Sequence, residues 1–394
     1  MKSVRYTFNS HFKQIPTYSE SFAGHDVTAF HQSLDVYDAT PLVSLPELAA
    51  KLGVKQILVK DESKRFGLNA FKGLGASYAI YQFIKRRWEN LCAEPFQTER
   101  LFDPQLKEKM GEITFTTATD GNHGLAVAWT AQKLQQKAVI YVPENMVAAR
   151  KAHIRATGAE VVVVNGTYDE TVLTAAKAGK EKGWEIISDT AYPGYTEVPE
   201  WIMTGYATIF NEIEAQLQSM ELSKPNMLFL QAGVGGLAGA AADYYVKKYS
   251  QDRPKLICVE PLDADCLLES IISGHGERRT AKGAQNSIMA GLNCGTASML
   301  AWPVIKEAIE FFLAVDDDWA REAMKVLYYP EGNDKKLISG ESGAAGLAGL
   351  IALCREASLK ESKEKLGLNK ESVVLLINTE GDTDPENFQK IINH

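Results

Sequence analysis

Lys72 stands in the stretch Asn69-Ala70-Phe71-Lys72-Gly73-Leu74-Gly75-Ala76, with small residues on either side. An apolar, helix-periodic run from Ala70 to about Arg87 puts it in the first turn of a helix. The macrodipole favours anions at that end, so a cation there is out of place. A lone lysine is ordinarily a surface charge on a flexible stem. Held instead in a partly apolar cleft with its pKa lowered, it is an amine ready to form a Schiff base. The small neighbours then leave room for a bulky partner.

Three further stretches carry chemistry. Gln231-Ala232-Gly233-Val234-Gly235-Gly236-Leu237-Ala238-Gly239 joins an expected strand to an expected helix. Glycines let backbone N–H groups approach a ligand, and a helix N-terminus attracts anions, so this is a phosphate cradle. A dinucleotide site is its competitor, with Glu260 ending the next strand, but such sites normally come early in a chain. Thr117-Ala118-Thr119-Asp120-Gly121-Asn122-His123-Gly124 follows another strand, where open α/β sheets bind ligands. A helix cap by Asp120 or Asn122 explains the same residues, and His123 reads as structural. Asn378-Thr379-Glu380-Gly381-Asp382-Thr383-Asp384 is acidic but lacks the spacing of a calcium loop. Thr379 offers a hydroxyl to a ring nitrogen that must stay unprotonated. Before the last of these, Glu341 and Ser342 in Ser339–Gly346 read as caps of a small-residue helix.

These turns need a scaffold of alternating strands and helices, and the periodicity supplies one. Strands are expected at 56–60, 113–117, 138–142, 161–164, 185–188, 227–231, 256–260 and 373–377. Helices are expected at about 123–134, 147–157, from Asp169 to Gly183, and at 237–249. That grammar implies twisted, mostly parallel sheets flanked by helices. The continuous apolar run Val373–Ile377 fits a strand buried on both faces. Residues 1 to about 36 lack a clear period and are expected to form an arm on the body or on a second subunit.

Length and composition narrow the classes. The chain has 394 residues, 45% hydrophobic and 23% charged, which suits a globular protein of two or three domains. A net charge of −8 leaves no basic excess for nucleic acid or an anionic membrane. Five scattered cysteines, Cys92, Cys258, Cys266, Cys294 and Cys354, read as reduced thiols, with no zinc or disulfide framework. No apolar leader or membrane-length run is visible, so a cytoplasmic location is expected.

Taken in order, the Phe71-Lys72 pair after a strand, Gly121-Asn122-His123-Gly124, the late glycine loop and the final Thr379 loop resemble one family. It is the fold-type II, tryptophan synthase β-like enzymes that use pyridoxal 5'-phosphate (PLP), relatives of threonine dehydratase and cysteine synthase. The resemblance implies an α/β fold of two domains, each with a twisted, mostly parallel sheet flanked by helices. Residues 1–110 and 191–394 would form the large PLP-binding domain and 111–190 a small mobile one. It makes Lys72 the Schiff-base lysine, Phe71 its apolar neighbour and Asn122 the partner of the cofactor's 3'-oxygen. Gly233, Val234, Gly235, Gly236 and Leu237 would hold the phosphate, Thr379 would face the pyridine nitrogen, and Glu341 would lie near the cofactor. A homodimer is implied, and no metal ion.

Asp120-Gly121-Asn122-His123 departs from the Ser-Gly-Asn-His usual in dehydratases, and Gly67–Lys72 departs from their lysine motif. With Lys60–Phe66, Ser188-Asp189-Thr190-Ala191 and Thr379–Asp384, the stretch from about Thr40 to Asp384 is similar to the diaminopropionate ammonia-lyases. Their reaction is α,β-elimination of 2,3-diaminopropionate to an aminoacrylate, then pyruvate and two ammonia. An amine leaves well only when protonated, which suits carboxylates near Cα and Cβ. The resemblance assigns Asp120 to the D-isomer and Asp189 to the L-isomer. An acid at a strand end also commonly caps the following turn, the plainer account of Asp189. The alternatives are a serine/threonine dehydratase of the same fold, a nicotinamide-dependent oxidoreductase built on the Gly233 loop, and a PLP-binding protein without turnover.

Overall fold

The computed structural model describes residues 2–394 apart from Ala23, His25, Asp120, Thr167 and Gly274. Its strands are β1 (Val4–Phe8), β2 (Leu42–Ser44), β3 (Gln56–Asp61), β4 (Thr114–Ala118), β5 (Lys137–Pro143), β6 (Glu160–Val164), β7 (Glu185–Ile186), β8 (Met227–Gln231), β9 (Lys255–Pro261), β10 (Phe311–Val315) and β11 (Val373–Asn378). The chain divides into two compact units. One comprises Met1–Ala23, Ala39–Lys64 and Ile209–His394; the other comprises Gly24–Asp38 and Arg65–Thr208.

The first unit holds a seven-stranded sheet in the order β1-β10-β9-β8-β11-β3-β2. Its inner pairings are parallel, while the two edges, β1 on β10 and β2 on β3, are antiparallel. In register, Leu375 of β11 faces both Leu58 of β3 and Leu228 of β8. Strands β8, β10 and β11 are buried along their whole length, which is why they read as unbroken apolar runs. The helix Ala345–Arg355 crosses this sheet with nearly every residue buried. Its small residues permit the approach: a Cβ on Gly349 would meet Val259 Cγ2 at 2.5 Å. The N-terminal arm therefore does pack on the body, as an added antiparallel strand.

The second unit holds a four-stranded parallel sheet, β6-β5-β4-β7. The helix Lys72–Cys92 packs on the helices Asn122–Lys133 and Glu197–Gly205. Besides residues 111–190, the unit takes in residues 24–38, 65–110 and 191–208. The small residues beside Lys72 serve the same packing. A Cβ on Gly75 would meet Tyr206 Cε1 at 2.6 Å and Ile202 Cγ2 at 2.8 Å, and one on Gly205 would meet the Leu74 carbonyl oxygen at 2.6 Å. They let helices touch rather than clear a space.

Cys92, Cys258, Cys266 and Cys354 are free thiols. Among the described residues no helix is long and apolar enough to cross a membrane, and no cluster of His, Cys, Asp and Glu is arranged to hold a metal ion.

Candidate active site

In the second unit, Lys72 is the first residue of its helix, with Phe71 as the uncapped residue before it. Its Nζ lies 2.6 Å from Asp189 Oδ2, with both side chains largely buried. Burial is the largest single influence and disfavours the Asp189 anion, but the charge and hydrogen bond of Lys72, with smaller contributions from His123 and the backbone, together outweigh it. The carboxyl is held well below the usual range. Asp189 is therefore a charge partner of Lys72, and the turn after β7 has other fastenings. Ser188 Oγ accepts from the Thr190 N–H at 3.3 Å.

Tyr195 and His123 fix the backbone that delivers Asp189. The Tyr195 hydroxyl donates to the Ile186 carbonyl at 2.7 Å and accepts from the Ser188 N–H at 2.9 Å. Pairing to β4 runs on to the Ile187 N–H, which donates to the Thr116 carbonyl at 2.8 Å, while β7 ends at Ile186 and not at the expected Ser188. His123 Nε2 is 2.7 Å from the Ile187 carbonyl oxygen. Opposite, the buried Tyr206 ring packs on Phe71, with centroids 4.8 Å apart. Burial pushes the Tyr206 phenol up to about 12 despite Lys72 nearby.

Of the two cap candidates in the turn after β4, the structure describes Asn122, which is not at the cap position. Asp120 lies outside the described residues. Asn122 is the first helical residue and Gly121 precedes it without a side-chain cap. Thr119 does the capping, its Oγ1 accepting from Gly121 N–H at 2.9 Å and Gly124 N–H at 3.1 Å. A Cβ on Gly124 would lie 2.2 Å from Thr119 Cγ2, so glycine is required there.

In the first unit, the loop after β8 leads into the helix Gly236–Tyr249, whose cap residue Gly235 has φ 96° and supplies no side chain. A Cβ on Gly233 would meet Cys294 Sγ at 2.8 Å, and one on Gly235 would meet Ile305 Cδ1 at 2.5 Å. The left-handed turn and the crowding both select glycine. The N-terminal N–H groups of a helix so begun are available to an anion. Val234 and Leu237 flank this turn, Leu237 buried on the helix side.

Gln231, at the end of β8, is buried and donates through Nε2 to the Ile377 carbonyl at 2.8 Å and to Thr379 Oγ1 at 3.0 Å. The amide occupies a lone pair of the Thr379 hydroxyl, whose own hydrogen is spent on no acceptor among the described residues. Glu341 is buried and accepts from Asn387 Nδ2, while Ser342 Oγ accepts from the Gly291 N–H at 3.1 Å. Neither caps the following helix, which starts from Ala344.

Sequence reasoning missed Thr119, Tyr195, Tyr206 and Gln231. A Thr two residues before a glycine in a βα turn is a recognisable turn signal for Thr119. The others act through partners that no spacing rule connects.

Residues 34–379 match the model of the pyridoxal-phosphate dependent enzyme family. The chain belongs to that family. It is 40% identical over 99% of its length to the diaminopropionate ammonia-lyase of Salmonella typhimurium, covering 98% of that protein. It is 44% identical over 92% of its length to the enzyme of the same description from Escherichia coli K12, covering 89% of it. The solved structure of Escherichia coli diaminopropionate ammonia lyase in complex with D-serine superposes with a TM-score of 0.90 at 41% identity, covering 99% of this chain and 97% of that one. Its complex with an aminoacrylate-PLP azomethine reaction intermediate gives 0.89 at 40%, covering 100% and 97%. The fold is type II, with mostly parallel sheets flanked by helices, and the cofactor is PLP. The residues present fit that cofactor. Thr379 has a hydroxyl hydrogen to give to an unprotonated ring nitrogen, and the turn at Gly233 and Gly235 admits no side chain where a phosphate would approach.

Proposed function

We propose that this chain catalyses the α,β-elimination of 2,3-diaminopropionate, in both D and L forms. Ammonia is released with an aminoacrylate, which hydrolyses to pyruvate and a second ammonia. The observation that carries the assignment is the Lys72–Asp189 pair, an amine 2.6 Å from a carboxylate kept ionised by it. The high identity to diaminopropionate ammonia-lyases supports the choice of substrate.

PLP, when bound, supplies an electron sink for the pair left at Cα. Lys72 is the amine that holds it, with Phe71 packed beside, and Asn122 meets its 3'-oxygen. The backbone of Gly233, Val234, Gly235, Gly236 and Leu237 takes its phosphate, Thr379 donates to its ring nitrogen, and Glu341 supports the wall nearby through Asn387. Asp189 takes the Cα proton of the L-isomer and Asp120 that of the D-isomer. Either anion also attracts a β-ammonium, the protonated form in which the amine leaves. The enzyme is cytoplasmic and a homodimer in this proposal.

The test is the purified holoenzyme. A yellow protein whose cofactor borohydride traps on the peptide bearing Lys72, and which releases pyruvate and ammonia from each diaminopropionate isomer, is expected. Faster release from serine than from diaminopropionate would move the chain to the dehydratases. An Asp120→Asn variant with full turnover of the D-isomer would remove Asp120 from its role.

A further inference from the structure

The two ring nitrogens of His123 have different surroundings. Nε2 is 2.7 Å from the Ile187 carbonyl oxygen. A carbonyl only accepts, so Nε2 carries the hydrogen. The side chain is buried, and burial holds its pKa below the ordinary histidine value, opposed by Asp189 and aided by Lys72. The ring is thus neutral at neutral pH, and Nδ1 is a bare acceptor. That nitrogen is buried with no hydrogen-bond partner among the described residues, 4.0 Å from Asp189 Oδ2. A buried acceptor without a donor is unfavourable. Next to an ionised carboxylate it stays so, since neither group has a hydrogen to offer the other.

A proton on Asp189 reverses this. We propose that His123 is a positioning residue for Asp189, its Nδ1 accepting a hydrogen bond from that acid once the carboxylate has taken a proton from the L-substrate. The inference rests on the assignment of Asp189 as the group that removes the L-isomer's Cα proton. In that step the Cα–H bond breaks, its electron pair stays on carbon, and the proton bonds to a carboxylate oxygen of Asp189. Nδ1 takes part only through the hydrogen bond and receives no proton outright. The bond exists only as the proton arrives, so it favours the transition state over the bound substrate. The Ile187 bond fixes the ring so that Nδ1 is already aimed, and the same contact holds the backbone two residues before Asp189.

His123→Gln separates the two duties. A glutamine amide nitrogen keeps a donor for the Ile187 carbonyl, while no acceptor remains at the δ position. The kcat ratio of L- to D-diaminopropionate is expected to fall about tenfold, the effect of one hydrogen bond, with KM for the L-isomer little changed. An unchanged ratio, or equal losses for both isomers, would overturn the proposal. Asp189→Asn tests the premise separately. If it retains L turnover, the assignment of Asp189 fails; if it abolishes L turnover while His123→Gln leaves the ratio intact, the role of His123 alone fails. Independently of turnover, nitrogen-15 NMR of the histidine in the resting holoenzyme should show the Nε2–H tautomer. A hydrogen on Nδ1 would overturn the proposal.

Discussion

Tyr195→Phe removes one oxygen and should loosen the segment that presents Asp189. The hydroxyl bridges the Ile186 carbonyl at 2.7 Å and the Ser188 N–H at 2.9 Å. Ser188 is buried, so its amide would lose its acceptor without water replacing it freely. Leaving a buried backbone group unsatisfied costs about 1–3 kcal/mol. Ile186 is only half-buried, so its carbonyl is expected to recover part of the loss from solvent. The sum is about 2 kcal/mol, which corresponds to roughly 30-fold in a local opening equilibrium. Native-state hydrogen exchange would therefore show the Ser188 amide exchanging about 30-fold faster in the variant, with amides of β8 and β11 unaffected. Turnover of diaminopropionate should fall through kcat, because Asp189 is presented less often at its position. Exchange at Ser188 within threefold of the parent (about 0.6 kcal/mol) would show that the tyrosine bridge does not hold this segment.

Gly235→Ala forces a Cβ onto a residue at φ 96° and within 2.5 Å of Ile305 Cδ1. PLP affinity, followed by fluorescence titration of the apoenzyme, should weaken at least about tenfold. The Asp189 carboxyl is held below its ordinary value, so its contribution to stability is full above the ordinary carboxylate range and is lost as pH falls toward the depressed one. The stability difference between the parent apoenzyme and Asp189→Asn should thus be about 2 kcal/mol at neutral pH and shrink in acid, measured by urea unfolding. A gap that widens in acid would contradict the pairing. Lys60 is fully buried, with Nζ on Glu212 at 2.6 Å and Gln216 at 3.0 Å. Lys60→Met takes the ammonium away from a buried carboxylate and should cost about 3 kcal/mol in the same assay.

The alternation of strands and helices was legible because each element carries its own period. β8 begins and ends at the expected residues, and Val373–Ile377 is buried on both faces as its unbroken apolar run requires. The glycine loop was legible for a similar reason: a positive φ at Gly235 is a local demand that only glycine meets cheaply. Lys72 at a helix start follows from the run after it. Other features depend on residues far apart in the chain. Gly73 and Gly75 beside the lysine look like space for a ligand in the sequence, yet Phe66, Ile202 and Tyr206 fill it. Asp189 reads as a turn cap until Lys72, 117 positions earlier, is brought to it. The extent of the second unit was set by helix burial, which no periodicity locates along the chain. Local geometry and hydrophobic period act within a few residues and are written in the sequence. The hydrogen bonds that aim Asp189, His123 and Thr379 join groups that only the packed chain places side by side.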